Sequence, residues 1–257
     1  MDVFGSYSKY YDLFYKDKDY PAEINFINSL IKKYANGSVK TILDMGCGTG
    51  GHAFLLVEKG YIVTGVDRSE AMLSIAKEKA KKSKIHVDFI EVDIRDFNLN
   101  KKFDAIISMF AVMGYQTTNE DFEKALLSAG QHLKSGGLFI FDVWFGPTVL
   151  AEKPETRIQE FKKDGIRTIR MVTPELNPIS QIVSVKYTIF QIDGKKVIAE
   201  VDEVHEMRFF FIQELKLFLE GAGFEMIKVC PFLDSDREPR LGDWNISVVA
   251  KAFNKKI

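Results

Sequence analysis

The sequence predicts an α/β fold: a mostly parallel, doubly wound sheet of seven strands, with a small antiparallel β-sheet inserted late in the chain. Three observations predict it. Between Lys40 and Phe141, short apolar runs alternate with amphipathic stretches, the rhythm of strands that helices cover on both faces. The first apolar run ends in a glycine-rich loop, Gly46 to Gly51. After Trp144 the rhythm changes to consecutive strand-like segments with no helical spacing between them.

Taken in order, residues 1–20 hold five of the nine tyrosines (Tyr7, Tyr10, Tyr11, Tyr15 and Tyr20). A helix is expected next, with Pro21 in its first turn and Ile24, Ile27 and Ile31 on one face. Thr41 to Leu43 predicts the first strand, Gly51 to Lys59 a helix, Tyr61 to Val66 a strand and Ser69 to Lys82 a helix. Val87 to Val92 and Phe103 to Ser108 predict two more strands. Phe122, Leu126, Ala129 and Leu133 stripe a helix between Asn119 and Leu133, with Thr117 and Glu120 spaced as a capping box. Lys134 to Gly137 is expected to end it before a fifth strand at Leu138 to Phe141. The insert is read from Ile166 to Val172, Gln181 to Ile192 and Val197 to Phe210, the last two joined at Asp193-Gly194. A helix at Ile212 to Glu220, stopped by Gly221 and Gly223, precedes the strands Phe224 to Val229 and Asn245 to Ala250. This divides the chain into a core of 1–144 with 211–257 and an insertion of 145–210.

Composition narrows the function. A net charge of −1 and a pI near 6.5 give no general attraction to nucleic acid or to an anionic membrane. The basic run Lys77 to Lys84 follows helical spacing and reads as a solvated helix end. The amino-terminal stretch lacks the basic-then-apolar layout of a signal peptide, and no run is apolar enough to span a membrane. Cys47 and Cys230 form neither a metal-ligand spacing nor an evident disulfide framework, so a cytoplasmic protein without a metal is expected. Monomer and homodimer both suit this composition.

The loop Gly46-x-Gly48-x-x-Gly51 by itself also fits a dinucleotide fingerprint. Asp44, two positions before the first glycine, separates the ligands. A pyrophosphate at a helix amino terminus would be repelled by that carboxylate, whereas a sulfonium and an α-amino group would be attracted to it. Asp67 follows the second strand, 23 residues after Asp44, placed to meet ribose hydroxyls. Asp93 and Ile94 follow the third strand, placed for an exocyclic amine and the face of a purine.

The segments DMGCGTG, GVDRSEAML, EVDIRDF, FDAIIS and LKSGGLFIFD together resemble, in order and spacing, the class I S-adenosylmethionine-dependent methyltransferases over roughly residues 40–142. The resemblance implies a Rossmann-like sheet with a reversed last strand and S-adenosyl-L-methionine as cofactor, leaving as S-adenosyl-L-homocysteine. It implies that Asp44, Gly46, Gly48 and Gly50 flank the methionine portion, that Asp67 binds ribose, and that Asp93 and Ile94 bind adenine. Cys47, Arg68, Met72 and Met109, with Tyr11 and Tyr20 from the amino-terminal segment, complete the expected cofactor set.

The fourth strand runs into Ser108-Met-Phe-Ala-Val-Met-Gly-Tyr115, which departs from the Asn/Asp-Pro-Pro-aromatic signature of enzymes that methylate nucleobase and glutamine nitrogens. A small-molecule acceptor is expected. The tyrosine-rich start and the inserted sheet are similar in layout to nucleotide-linked amino-sugar N-methyltransferases and, more distantly, to glycine N-methyltransferase-like enzymes, which makes the insert an acceptor-side lid. Tyr7, Tyr15, Trp144, Arg170, Glu203 and Arg240 are the candidate acceptor contacts. His205 shares strand parity with Glu203 and Met207 and is the candidate proton acceptor, with Tyr11 and Tyr115 as aromatic walls of the transfer site. The alternatives are an O-methyltransferase acting on a metabolite hydroxyl, an NAD-dependent oxidoreductase, and a non-catalytic cofactor-binding protein.

Overall fold

The computed structural model describes residues 4–253, so the outermost positions of the expected core, 1–3 and 254–257, lie outside it. A central parallel sheet contains β1 (Thr41–Met45), β2 (Ile62–Asp67), β3 (Asp88–Glu91), β4 (Phe103–Ser108) and β5 (Leu133–Phe145), side by side in the order β3-β2-β1-β4-β5. Beyond β5 lie β11 (Asn245–Ala252) and then β10 (Phe224–Pro231), both antiparallel to their neighbours. The expected reversed ending is present.

Helices cover both faces because the strands are apolar on both. On one side α2 (Tyr20–Tyr34), α3 (Gly51–Glu58) and α4 (Glu70–Ser83) bury Ile27, Leu56 and Leu73 against Ile42, Ile107 and Ile140. On the other, α5 (Asn119–His132) and α7 (Ile212–Gly221) bury Phe122, Leu126 and Leu215 against Leu43, Ile106 and Phe141. Asp19 caps α2 ahead of Pro21, and Ser69 caps α4 through the Met72 amide. The cap of α5 is Thr118, which accepts from the Asp121 N–H at 3.0 Å; the Thr117–Glu120 box is one residue out of register. Lys134 to Gly137 is likewise no loop. β5 begins at Leu133 and runs through it, with Gly136 absorbing the irregularity at a φ of +74°.

The inserted sheet holds four strands: β6 (Arg157–Lys163), β7 (Ile166–Asn177), β8 (Ile182–Asp193) and β9 (Lys196–Phe210), all antiparallel in sequence order. β6 and the short α6 (Gly146–Glu152) before it were not expected. β6 is exposed along most of its length, so it carries little of the alternation that marks a half-buried strand. The β8–β9 turn is Gly194-Lys195, one residue later than expected, with positive φ at the glycine alone, as a type II′ turn requires. The sheet joins the core sheet through β9, where Trp144 and Phe145 pair with Phe209 and Phe210. Its inner face therefore leans over the carboxyl ends of β1, β2 and β4, where ligands of doubly wound sheets bind. A short helix α1 (Ser8–Phe14) crosses the same opening and puts Tyr7, Tyr11 and Tyr15 on one face at four-residue spacing. Among the described residues no helix is long and apolar enough to cross a membrane.

Candidate active site

At the carboxyl edge of the sheet lies a cavity. One wall is built by the strand ends: Gly46 and Gly48 after β1, Asp67, Arg68 and Met72 after β2, Asp93 and Ile94 after β3, and Met109 after β4. The glycines are required by local geometry. Gly46 has a φ of +78°, and a Cβ there would stand 2.5 Å from Val112 Cγ1. Gly48 has a φ of +53° and donates its N–H to Asp67 Oδ2 at 2.8 Å. The other Asp67 oxygen accepts from the Ser69 N–H at 2.9 Å. Burial pushes the Asp67 carboxyl up, against the opposing pull of these amides.

Asp44 does not line the cavity. It lies beneath the loop, 1% exposed, with Oδ2 buried and without a hydrogen-bond partner among the described residues. Burial, and then the neighbouring Asp67 charge, push its pKa up to about 7. A buried carboxylate oxygen without a partner is costly, and a cation brought to the glycine loop would offset that cost. The carboxylate fits the amino and sulfonium charges of S-adenosylmethionine and opposes a pyrophosphate. Cys47 is also behind the wall, its thiol pushed up by burial. Gly50 leads into α3, and Tyr20 packs its ring on Gly51 and His52, so both support the loop from outside the cavity.

Two residues not singled out from the sequence hold this wall in shape. Arg95 binds Asp93 through Nε at 2.9 Å and through Nη2, and also reaches Asp121 at 3.1 Å. Asp93, held low chiefly by that guanidinium, is thus oriented and partly occupied. Asp142 on β5 is fully buried and accepts from the N–H groups of Phe110, at 2.6 Å, and Ala111, at 3.0 Å. Those two residues are both left-handed, with φ of +72° and +56°, and line the cavity. The sequence signal was present: a single acid in the apolar run LFIFDVWF.

The opposite side is aromatic. Tyr7, Tyr11 and Tyr15 from the amino-terminal segment face Tyr115, Trp144, Tyr187 and His205. The Tyr115 hydroxyl lies 2.8 Å from His205 Nδ1, and His205 Nε2 lies 2.8 Å from Glu203 Oε1. Glu203 itself stands behind the wall, receiving the Phe4 N–H at 2.6 Å and the Tyr7 N–H at 3.2 Å, so it latches the amino-terminal segment and makes no contact with the cavity. Tyr187 was not expected; it shares the inner face of β8 with Val183 and Val185 and pairs with Glu203 across β9.

Tyr15, Trp144, Tyr187 and Asn245 also belong to a second cavity, between the inserted sheet and the loop after β10. Arg170 is on this outer wall. It donates to the Tyr7 hydroxyl at 3.0 Å, lies over the Phe14 and Tyr15 rings, and keeps Nε buried without a partner. Arg157 and Arg237 line it too, Arg237 being gripped by Asp234 and Asp243. Arg240 is exposed and lines neither cavity, its position set by its backbone N–H bond to Asp243; the turn that brings Arg237 inward turns Arg240 out. Among the described residues no cluster of His, Cys, Asp and Glu is arranged for a metal.

Comparison with known proteins agrees with this geometry. Residues 42–137, from β1 into β5, match a methyltransferase domain family. The structure is similar to a S-adenosylmethionine-dependent methyltransferase from Clostridium acetobutylicum, with a TM-score of 0.80 at 24% identity over 95% of this chain and 96% of that one. A relative in Saccharopolyspora spinosa, dTDP-4-amino-2,3,4,6-tetradeoxy-D-glucose N,N-dimethyltransferase, is 27% identical over 81% of the chain and 80% of its own length. Another, dTDP-3-amino-3,4,6-trideoxy-alpha-D-glucopyranose N,N-dimethyltransferase of Streptomyces venezuelae, is 30% identical over 219 residues, 84% of this chain and 89% of that one. Likeness of this extent runs through the insert as well as the cofactor loop, and it removes the oxidoreductase and non-catalytic alternatives: the chain belongs to the S-adenosylmethionine-dependent methyltransferases.

Proposed function

We propose that the enzyme methylates the amine of a nucleotide-linked amino sugar in the cytoplasm. The observation that carries this reading is the junction of the two cavities at Tyr15, Trp144, Tyr187 and Asn245. An acceptor can reach the transfer site from the outer cavity while a bulky group stays behind in it. Arg157 and Arg170 line that cavity, and no ion pair to a carboxylate engages either of them among the described residues; they suit the phosphates of a sugar nucleotide. The two relatives named above carry the amine at different sugar positions, so what they share is the linked amino sugar.

On this reading S-adenosylmethionine supplies an electrophilic methyl group to the nitrogen. Gly46 and Gly48 let the backbone approach the methionine portion, and Asp44 sets a negative charge behind them. Asp67 and Arg68 hold the ribose, Asp93 and Ile94 the adenine, and Met72 and Met109 the nucleoside edges. Tyr7, Tyr11, Tyr15 and Tyr115 exclude water and present ring faces to the cationic centre. Alignment of donor and acceptor supplies most of the rate.

The test is a competition. With labelled S-adenosylmethionine, a dTDP-linked 3-amino sugar should show a kcat/KM about 100-fold above the free amino sugar, on the order of 3 kcal/mol of nucleotide contacts. Equal turnover of the two would remove the nucleotide from the reading. Asp67→Ala should weaken cofactor binding by more than tenfold, the ~1.4 kcal/mol scale of a charge-assisted hydrogen bond, as read by calorimetry. An unchanged Kd would move the ribose elsewhere.

A further inference from the structure

The line Tyr115, His205, Glu203 has a direction that donor counting fixes. Burial acts to raise the Glu203 carboxyl, but hydrogen bonds from His205 and from the Phe4 and Tyr7 amides outweigh it and hold the group ionised. A carboxylate only accepts, so His205 Nε2 carries the proton in that 2.8 Å bond. In the neutral imidazole Nδ1 is then the lone-pair nitrogen, and the Tyr115 hydroxyl, 2.8 Å away, donates to it. The phenol oxygen keeps its own lone pairs free at the cavity wall. His205 is 2% exposed and is boxed by the rings of Phe4, Tyr7, Tyr115 and Tyr187. The titratable and charged groups facing this line are Tyr7 from the amino-terminal segment, Tyr187 from β8 and Glu203 from β9, with Tyr11, Tyr15 and Arg68 acting on Tyr115.

We propose that Tyr115, His205 and Glu203 form a proton relay that takes the proton from the acceptor amine, with Tyr115 touching the amine and Glu203 positioning the imidazole. The inference rests on the amine reading above. An ammonium N–H proton passes to the Tyr115 oxygen as the phenol proton passes to His205 Nδ1, leaving an imidazolium beside the Glu203 carboxylate. The freed lone pair then forms the N–C bond as the S–CH3 bond breaks, its electron pair staying on sulfur. The product is a methylated ammonium and a neutral thioether. The proton on His205 returns through Tyr115 to water when the products leave. Because Glu203 also latches Phe4 and Tyr7, the relay is complete only with the amino-terminal segment in place.

The test compares the wild type with Tyr115→Phe, His205→Asn and Glu203→Gln, using the dTDP-linked 3-amino sugar from pH 6 to 9.5. The first two variants should lose about 100-fold in kcat at pH 7, the scale of general base catalysis. They should recover to within about threefold of wild type at pH 9.5, where solvent removes the ammonium proton. Glu203→Gln should fall between. A loss of the same size at every pH overturns the relay, since a purely structural role does not depend on the protonation of the acceptor. If the wild type leaves the amino sugar untouched, the acceptor reading fails and the relay is judged on binding alone. Sinefungin carries an amine where S-adenosylmethionine carries the S-methyl group. Tyr115→Phe and His205→Asn should bind it about tenfold more weakly while S-adenosylhomocysteine binding stays unchanged; an unaltered ratio of the two affinities overturns the relay on that arm as well.

Discussion

Asp44→Asn is expected to weaken S-adenosylmethionine binding about 100-fold at pH 8, close to 3 kcal/mol, the range found when one partner of a buried charge pair is removed. The cause is the buried, unpartnered Oδ2 beneath the glycine loop. S-adenosylhomocysteine keeps the amino group and lacks the sulfonium, so its loss should be smaller. In the wild type the free carboxyl has a pKa of about 7, and a cation binds its ionised form. Affinity should therefore rise with pH up to about 7 and level off above it, whereas the asparagine variant should show no such slope. The stability of the ligand-free protein moves the opposite way. A carboxyl whose folded pKa lies above its unfolded value contributes stability fully present below about pH 4 and lost as pH rises through 7. Asp44→Asn should accordingly raise the apo Tm at pH 8 and change little at pH 4. Calorimetric Kd values across pH, with thermal melts at the two extremes, check both halves. A wild-type affinity that is flat with pH would show that Asp44 does not answer the ligand's charge.

Asp142→Ala is expected to cost about 2–4 kcal/mol of stability, because it leaves the half-buried N–H of Phe110 and the buried N–H of Ala111 without an acceptor, at roughly 1–3 kcal/mol for a fully buried group. The same change releases two consecutive left-handed residues on the cavity wall, so S-adenosylhomocysteine binding should weaken along with the fold. Asp142 Oδ1 accepts from both amides, and an asparagine oxygen in its place keeps both. Asp142→Asn should thus lose less than half as much. Urea midpoints of the three proteins, read with their Kd values, decide it. An alanine variant within about 0.5 kcal/mol of wild type would mean that the turn after β4 holds its shape without the carboxylate.

The core was legible from the sequence because its information is local. Three strand ends bearing Asp44, Asp67 and Asp93, with glycines between, identify the binding edge without reference to anything distant in the chain. The cap at Thr118 is one residue from the expected one, where neighbouring threonines compete for one role, and the larger miss is at Lys134 to Gly137, where β5 starts before the glycines that suggest a loop. The acceptor side was less legible. Arg240 and Arg237 are three residues apart, and only the fold of the loop after β10 turns one to the cavity and the other to solvent. Nor does strand parity say whether Glu203 reaches the cavity or stops behind it.

By itself the sequence determined the sheet, the glycine loop and the charge of the ligand it accepts, since each depends on residue types at short, regular spacing. Only the tertiary structure decided which groups act together across long separations: Asp142 with Phe110 and Ala111, Phe4 and Tyr7 with Glu203, and Tyr115 with His205. The reason is that a hydrogen bond between segments far apart in the chain leaves no periodicity in either of them, so its partners stay hidden until packing brings them within hydrogen-bonding distance.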